Sequence, residues 1–310
     1  MERMEHTVTS KEVGLRLDRY LAEKAKEVSR SEIQRAIREG CVAINGATVT
    51  QSSRRLRPGE QIVWETTFRP LLVPARIGLT ILYEDEHIVV VDKPVGLVVH
   101  PGAGKTGTTL VEGLLVDRPL PEGDDPARPG IVHRLDKETS GVIVVAKTPS
   151  SLESLKAQFA TRQVTKLYLA LVSGRIPEEE GLIDAPIGRD PTCPSRMTIH
   201  PQGREAQSEF HVLARIEETT LLLVSPYTGR THQIRIHLHY IGHPIVGDPL
   251  FSQEDKRLML HAWRVELTNP KRKERIRFEA AVPPEFPEYP YREVLWPEAQ
   301  HVGNQVPLSN

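Results

Sequence analysis

The chain has 310 residues, a length that suits one large core together with a smaller domain. Hydrophobic residues make up 39% and charged residues 26% of the sequence, as in ordinary globular proteins, and a net charge of −1 excludes a uniformly basic chain. No apolar run approaches the roughly 18 residues that a membrane span needs, and the first ten residues lack an apolar signal region. We therefore expect a cytoplasmic protein with no membrane partner.

Positive charge is concentrated near the amino end. Residues 11 to 70 contain 12 lysines and arginines against 8 acidic residues. Leu17, Leu21 and Val28 are spaced as on one face of a short helix, and Ser29 predicts the N-cap of a second helix. These features indicate a small, positively charged helical element at the start of the domain.

Strands follow these two helices. An Asn-Gly turn at residues 45 and 46 separates apolar stretches at 42–44 and 47–49, and another strand is expected at 61–64 after a Pro-Gly turn. We place a small α/β domain at residues 11–70 and a proline-containing linker at 71–78.

The remainder is predicted to form one large domain at 79–285 and a Pro-rich tail at 286–310. Strands occur in runs with few helices between them, which predicts an α+β fold with a mixed or antiparallel sheet. A helix at 151–161 is expected to begin at Ser150 as its N-cap. The strands expected in this domain are 81–84, 87–91, 142–146, 166–172, 209–212 and 220–225.

The sequence HRLDKETSG at residues 133–141 lies between a Pro-Gly loop and an apolar run of buried-strand length. Its aspartate, Asp136, is flanked by His133, Arg134 and Lys137, and nearby cations favour the ionised form of a carboxylate. An ionised carboxylate where a loop meets the core suits a nucleophile. Local chemistry leaves open the alternative of a surface loop held by salt bridges.

Several blocks of sequence together resemble the RluA family of RNA pseudouridine synthases. The blocks are DKPVGLVVHPG at 92–102, HRLDKETSG at 133–141, KLYLALVSG at 166–174 and TGRTHQIRIH at 228–237. The resemblance covers roughly residues 79 to 285. Phe251 and Asn269 depart from the tyrosine and histidine expected at those places, and neither is a proposed catalytic position.

The resemblance implies isomerisation of uridine to pseudouridine in RNA, with no cofactor and no metal. Asp136 is the expected nucleophile, and Arg235 is the expected cation that keeps it charged inside a closed pocket. Tyr168 is expected to face that pocket and to stack on a base flipped out of the RNA. For Arg235 a surface position, and for Tyr168 a core position, remain the alternatives.

A resemblance to the S4 RNA-binding domain is carried by SRSEIQRAIREGCVAINGATV in the amino-terminal segment. Its fusion to this catalytic type suggests large-subunit ribosomal RNA as the substrate, with a specificity like that of the family's type D enzyme, and a monomer suffices. Arg134 is expected to fill the gap that the flipped nucleotide leaves. The residues expected to contact RNA are His133, Arg134, Lys166, Arg230, Arg16, Arg30, Arg35, Arg38 and Arg54.

Two other functions remain open from sequence. The first is a non-catalytic RNA-binding protein in which the amino-terminal module does the work. The second is a glycoside or nucleoside hydrolase, which needs a second carboxylate near Asp136, and Glu138 is the available candidate.

Three further signals carry less information. GAGKTGTT at 102–109 imitates a phosphate-binding loop but lacks its first glycine, so we expect no nucleotide cofactor. Four histidines between 232 and 243 have no acidic or cysteine residue among them at metal-ligand spacing. The basic run at 271–277 is typical of a solvated hairpin, and contact with RNA backbone is its alternative.

Overall fold

The computed structural model describes residues 3–25, 30–38, 40–65, 72–101, 107–193, 196–251 and 257–294. The chain divides into two compact units. The first unit comprises 1–72 with 101–107, and the second comprises 73–100 with 108–310.

The first unit is a four-stranded sheet with two helices packed against it. Its elements are β1 (Arg3–Thr7), α1 (Leu17–Lys24), α2 (Arg30–Arg38), β2 (Val42–Ile44), β3 (Ala47–Thr48) and β4 (Gln61–Glu65). The strands lie in the order β1-β4-β2-β3 and every described pair is antiparallel. The predicted boundary at residue 11 leaves out β1, whose five residues pair with β4.

The core of this unit explains its local structure. Leu17 and Leu21 of α1 and Ile33 and Ile37 of α2 are fully buried in one cluster with Trp64. The helix-spaced apolar residues predicted from sequence therefore do form the buried faces. Val28 and Ser29, predicted to extend the first helix and to cap the second, lie outside the described residues.

The second unit is built on one large sheet, which is mixed because one of its described strand pairs is parallel. The strand order is β5-β6-β7-β14-β8-β13-β12-β9, with β15 also paired to β14, and β7 runs parallel to β14. Strands β10 and β11 form a separate hairpin. The elements are β5 (Thr80–Glu84), β6 (Ile88–Lys93), α3 (Leu110–Leu114), β7 (Ser140–Ala146), α4 (Pro149–Ala160), β8 (Thr165–Ser173), β9 (Glu180–Asp184), β10 (Ile187–Arg189), β11 (Met197–Ile199), β12 (Gln207–Ile216), β13 (Thr219–Pro226), α5 (Gln233–Tyr240), β14 (Leu260–Thr268) and β15 (Arg275–Glu279).

Strands β6 and β7 are buried on both faces because their sequences are continuous apolar runs. Alternate side chains point to opposite sides of the sheet. Val90 and Val144 pack in one cluster with α4, whereas Val91 and Ile143 pack in a second cluster with α3. The centre of the sheet is thus a rigid base for the loops that enter and leave it.

Two features of this unit differ from the sequence prediction. Helix α4 begins at Pro149 with Thr148 as its N-cap, so the expected cap at Ser150 was wrong; the Thr148 side chain accepts from the Ser151 N–H. The predicted tail also contributes to the core, because Phe286 and Val294 are buried there. Residues 295–310 lie outside the described part.

Gly141 fixes the end of the HRLDKETSG segment against the sheet. Its φ is +112°, and a Cβ at this position would lie 2.1 Å from the carbonyl oxygen of Ala262. No other residue type fits where β7 begins to run beside β14. The loop that carries Asp136 therefore ends at a tightly packed point in the middle of the sheet.

Within the described residues, no helix combines the length and the apolar character needed to cross a membrane.

Candidate active site

A cavity of about 530 Å³ opens beside the loop that precedes β7. Its wall comes from that loop, the end of α4, the start of β8, and the segment from the end of β13 into α5. Among the described residues that line it, Asp136 is the one carboxylate, and the lysines and arginines are Arg134, Arg162, Lys166, Arg204, Arg230 and Arg235. The cavity is therefore strongly positive, which suits a polyanionic ligand.

Asp136 and Arg235 meet across the cavity although they are 99 positions apart in sequence. The Nη1 atom of Arg235 lies 3.5 Å from Oδ2 of Asp136. The Asp136 side chain is 18% exposed and that of Arg235 is 5% exposed, so the guanidinium is buried while the carboxylate stays partly accessible. A partly exposed carboxylate beside a buried guanidinium is an arrangement that suits a nucleophile.

A second carboxylate holds Arg235 in place. Asp248, which is fully buried, accepts from Nε of Arg235 at 2.9 Å and from Nη2 at 2.6 Å. This two-point contact fixes the plane of the guanidinium and leaves Nη1 for Asp136. Burial by itself lowers the pKa of Arg235, but the hydrogen bonds and charge of Asp248, with the charge of Asp136, raise it above its ordinary value. Arg235 is thus a permanent cation.

Tyr168 lies on β8 and lines the same cavity. Burial, assisted by the charge of Asp136, raises the pKa of its phenol above the ordinary value. The phenol is therefore protonated throughout the neutral range. It can donate a hydrogen bond or stack on a base, but it does not act as a base itself in that range.

His133 and Lys137, which the sequence suggested as cations near Asp136, have other partners in the structure. Nε2 of His133 accepts from the Val144 backbone N–H at 2.9 Å, and its ring stacks on Phe159. Burial, with a smaller effect of Lys166, lowers the pKa of His133 to about 3, so this ring is neutral. Lys137 lies 3.6 Å from Glu138.

A buried lysine ties the Asp136 loop to the preceding strand. Lys93, at the end of β6, is fully buried, and its Nζ donates to the carbonyl oxygens of Pro94, Leu97 and Lys137 at 2.8 to 3.1 Å. Burial lowers its pKa to about 8. Three backbone carbonyls from two loops thus share one ammonium group, which fixes the residue that follows Asp136.

His232 also lies close to Asp136 and lines the same cavity. It is the N-cap residue of α5 with a left-handed backbone (φ +57°), an uncommon conformation for a non-glycine residue. Its Nε2 lies 3.8 Å from Oδ1 of Asp136. Burial outweighs the attraction of Asp136 and lowers the pKa of His232, so the ring is neutral near pH 7.

The residues predicted to bind RNA fall into two groups. His133, Arg134, Lys166 and Arg230 all line the cavity with Asp136. In the first unit, Arg16 and Arg30 donate to the fully buried Asp18, and Arg54 donates to Glu60 at 2.7 Å. Arg38 donates to the Gln34 carbonyl, and the side chain of Arg35 lies outside the described part.

The histidines clustered in the sequence have structural partners. His237 is buried between Ser208 and the Ala185 carbonyl, and Nδ1 of His243 contacts the Ser173 carbonyl. No group of potential metal ligands occurs within the described residues. Most of the GAGKTGTT segment lies outside those residues.

Sequence reasoning missed Asp248, Lys93 and His232. Lys93 and His232 lie inside the quoted motifs, so their positions were visible but their contacts were not. Asp248 lies in the sequence GDPLF at 247–251, in which only Phe251 was discussed above. The available signal was an acidic residue between a glycine and a proline. Only the folded chain shows that this residue is buried and contacts Arg235.

Comparisons with known proteins agree with this geometry. The family model for RNA pseudouridylate synthase matches residues 87–240, and the model for the S4 domain matches residues 15–62. The first match contains Asp136, Tyr168 and Arg235.

Two relatives illustrate the similarity. An uncharacterized RNA pseudouridine synthase of Aquifex aeolicus is 43% identical, with 87% of this chain and 91% of the relative covered. Ribosomal large subunit pseudouridine synthase D of Nitrosomonas europaea is 40% identical, with 90% of this chain and 85% of the relative covered.

A solved structure shares the fold. Human RNA pseudouridylate synthase domain containing 1 superposes with a TM-score of 0.54 at 29% identity, covering 66% of this chain and 83% of the human chain. The similarity thus extends from sequence to the arrangement of the sheet.

Proposed function

We propose that this chain, which belongs to the RNA pseudouridine synthase family, converts uridines of large-subunit ribosomal RNA to pseudouridine, with Asp136 as the nucleophile. The observation that carries the assignment of Asp136 is its position as the one carboxylate among the described cavity residues, in contact with a buried arginine. The substrate class is supported by relatives named ribosomal large subunit pseudouridine synthase D, at 39 to 40% identity. The amino-terminal S4 match supports RNA binding.

The proposed reaction proceeds by covalent catalysis on the ribose. The target uridine flips out of the RNA at a cost of a few kcal/mol and enters the cavity. Asp136 attacks C1′, the bond from C1′ to N1 breaks, and the electron pair leaves with the uracil. The uracil rotates, C5 attacks C1′ and displaces the carboxylate. The C5 hydrogen then leaves as a proton and N1 gains one, so atoms and charge balance without a cofactor.

Each neighbour of Asp136 has a defined part in this proposal. Arg235 favours the ionised carboxylate before attack and again when Asp136 is displaced. Tyr168 keeps its proton and offers a flat ring to the flipped base. Arg134, exposed at the cavity, is placed to occupy the gap left in the RNA.

The hydrolase alternative has less support from the geometry. Glycoside hydrolysis generally uses two carboxylates that face the scissile bond. Glu138, the candidate for the second one, is not among the described residues that line the cavity. Isomerisation needs only one carboxylate, and Asp136 meets that need.

Modification mapping tests the proposal. Purified protein is incubated with unmodified large-subunit ribosomal RNA transcript, and pseudouridines are located by carbodiimide adducts and primer-extension stops. We expect discrete stops with the wild type and with Glu138→Gln, a matched loop carboxylate outside the cavity, and none with Asp136→Asn.

Other outcomes have distinct meanings. Stops on transfer RNA alone would overturn the proposed substrate class, and activity of Asp136→Asn would overturn the proposed nucleophile. Loss of activity in Glu138→Gln with release of free uracil would instead support the two-carboxylate alternative.

Two further parts of the proposal concern the oligomeric state and the cellular location. The three proposed catalytic residues come from one chain, which supports action as a monomer. Ribosomal RNA as substrate supports a cytoplasmic place of action.

A further inference from the structure

Four cations line the cavity in addition to Arg134 and Arg235. They are Arg162, Lys166, Arg204 and Arg230, and all four line the cavity. Arg162 and Arg204 are exposed, in contrast to the nearly buried side chain of Arg235. The four therefore form a rim around the entrance, and they are called the rim cations below.

The rim cations are close enough to oppose one another. Burial, then the charges of Arg204 and Arg162, lowers the pKa of Arg230. Burial, then the charge of Arg162, lowers the pKa of Lys166 to about 8. Glu205, which pairs with Arg162 at 2.8 Å, supplies one negative charge against four positive ones. Like charges held together without matching anions destabilise the free protein, and a bound anion removes that repulsion.

Contacts with the backbone position two of the rim cations, Arg230 and Arg204. Arg230 donates from Nε to the Glu205 carbonyl at 2.8 Å. Arg204 exchanges two backbone hydrogen bonds with Ile187, each 2.9 Å long. Gly203 packs so closely on Ile187 that a Cβ would lie 2.5 Å from a backbone atom. The side chain of Arg230 and the backbone of Arg204 are thus held in place at the cavity.

Arg162 has an unusual backbone conformation at the end of α4. Helix α4 ends in a Schellman motif: Arg162 N–H bonds to the Phe159 carbonyl and Gln163 N–H bonds to the Gln158 carbonyl. Arg162 occupies the left-handed position of this motif, with φ +59°, where glycine is usual. An arginine here costs backbone free energy relative to glycine, and its side chain reaches the cavity lining, where it pairs with Glu205.

We infer that the rim cations form a subsite for the phosphodiesters that flank the flipped uridine. The inference rests on the RNA-modifying function proposed above. A nucleotide whose base and ribose reach Asp136 is still linked to the chain by a phosphate on each side. Those phosphates remain at the entrance, where Arg162, Arg204 and Arg230 present their guanidinium groups and Lys166 its ammonium. Arg162 and Arg204 lie outside the motifs that carry the family resemblance, so they extend the set of RNA-contacting residues.

The test uses Arg162→Gly in the full-length chain. Glycine removes the cation and relieves the left-handed backbone, so Tm should stay constant or rise by about 2 °C. RNA affinity should fall about five-fold near 0.1 M salt, and the slope of log K against log salt should become shallower by about 0.7 to 0.9, as for one lost phosphate contact. Arg162→Lys should retain most of the slope.

Lys273→Gly is the matched control. Lys273 also has a left-handed backbone (φ +59°) and a positive charge, but it is not among the residues that line the cavity. It should leave the salt slope unchanged. Binding is measured with a fragment of large-subunit ribosomal RNA.

An unchanged affinity and slope in Arg162→Gly would overturn the subsite, as would an equal loss in Lys273→Gly. A wild-type protein that binds no RNA would instead overturn the proposed function itself. The two failures are therefore distinguishable.

Discussion

The arginines of the first unit and the rim cations of the second differ in their partners. Arg16 and Arg30 converge on one buried carboxylate, Asp18. Around the cavity, by contrast, Lys166 and Arg230 face other cations. In the sequence, positive charge is concentrated in the first unit, whereas the rim cations are scattered from residue 162 to residue 230. An arginine or lysine is therefore available to bind RNA only where the fold does not pair it with a buried carboxylate.

Asp18 shows how strongly the first unit uses its arginines. Burial by itself raises the pKa of a carboxylate, but hydrogen bonds from Arg16, Gln34 and Arg30 hold the pKa of Asp18 well below its usual range. Arg16 and Arg30 thus act first as structural cations: Arg16 pairs with Asp18 at the start of α1, and Arg30 joins α2 to it. The expected RNA contacts from these arginines stay a prediction, and we expect them to contribute less than the rim cations.

Arg235 is also paired with a buried carboxylate, Asp248, and it lies in the proposed active site, so removing it should have the largest effect. Arg235→Ala leaves Asp248 buried and unpaired, which should lower the free energy of unfolding by about 3 to 5 kcal/mol. It also removes the cation beside Asp136, so kcat should fall by about 100-fold or more. Urea unfolding and single-turnover modification measure the two losses.

The double variant Arg235→Leu, Asp248→Asn separates these effects. It removes the unpaired charge together with the arginine, so it should recover much of the stability. Recovery of kcat along with stability would show that Arg235 acts only on folding.

Asp18→Asn should have an intermediate effect, confined to the stability of the first unit. Neutralising Asp18 weakens its bonds to Arg16 and Arg30 and leaves the two cations close together. We expect a loss of about 2 kcal/mol in the free energy of unfolding, within the range for hydrogen bonds to charged groups. Arg19→Gln is the control, because the Arg19 side chain forms an exposed pair with Glu23 on α1, and such pairs contribute little to stability. An equally small change in Asp18→Asn would remove the contrast between the two regions.

Lys166→Met should have the smallest effect, seen in RNA affinity and its dependence on pH. The pKa of Lys166 is about 8, so its ammonium is charged at pH 7 and largely neutral at pH 9. RNA affinity of the wild type should therefore fall as pH rises through 8, and the Met variant should be weaker by about five-fold at pH 7.

The same variant isolates the titrating group. Lys93 has a similar pKa but is present in both proteins, so the difference between the two pH profiles reports Lys166. Identical pH dependence in the two proteins would exclude Lys166 from phosphate binding.

The sequence predicted most of the architecture because its signals are local. The apolar run before Lys147 had to form a buried strand, and Leu17 and Leu21 had to face a core. The cap of α4 was misplaced because Ser150 is a good N-cap residue, yet Pro149 favours the first turn and so leaves Thr148 as the cap. Strand β1 was missed because its alternation is weak and its partner, β4, lies more than 50 residues away.

The site was predictable as a list of residues but not as a network. Asp136, Tyr168 and Arg235 followed from motifs, and the fold brings them to one cavity. The residues that position them could not be predicted. The bonds from Arg235 to Asp248 and from Lys93 to the Lys137 carbonyl join segments that are distant in the sequence or separated by loops. The same holds for Arg162 and Arg204, which lie outside the motifs and reach the cavity only in the folded chain.

The central claim is that Asp136 performs covalent chemistry on uridine in RNA, and release of hydrogen from C5 tests it most directly. Ribosomal RNA labelled with tritium at C5 of uridine loses label to water only where C5 becomes bonded to C1′. We expect steady tritium release by the wild type and none above background by Asp136→Asn, with RNA affinity retained. Release by Asp136→Asn at a rate comparable to the wild type would contradict the account.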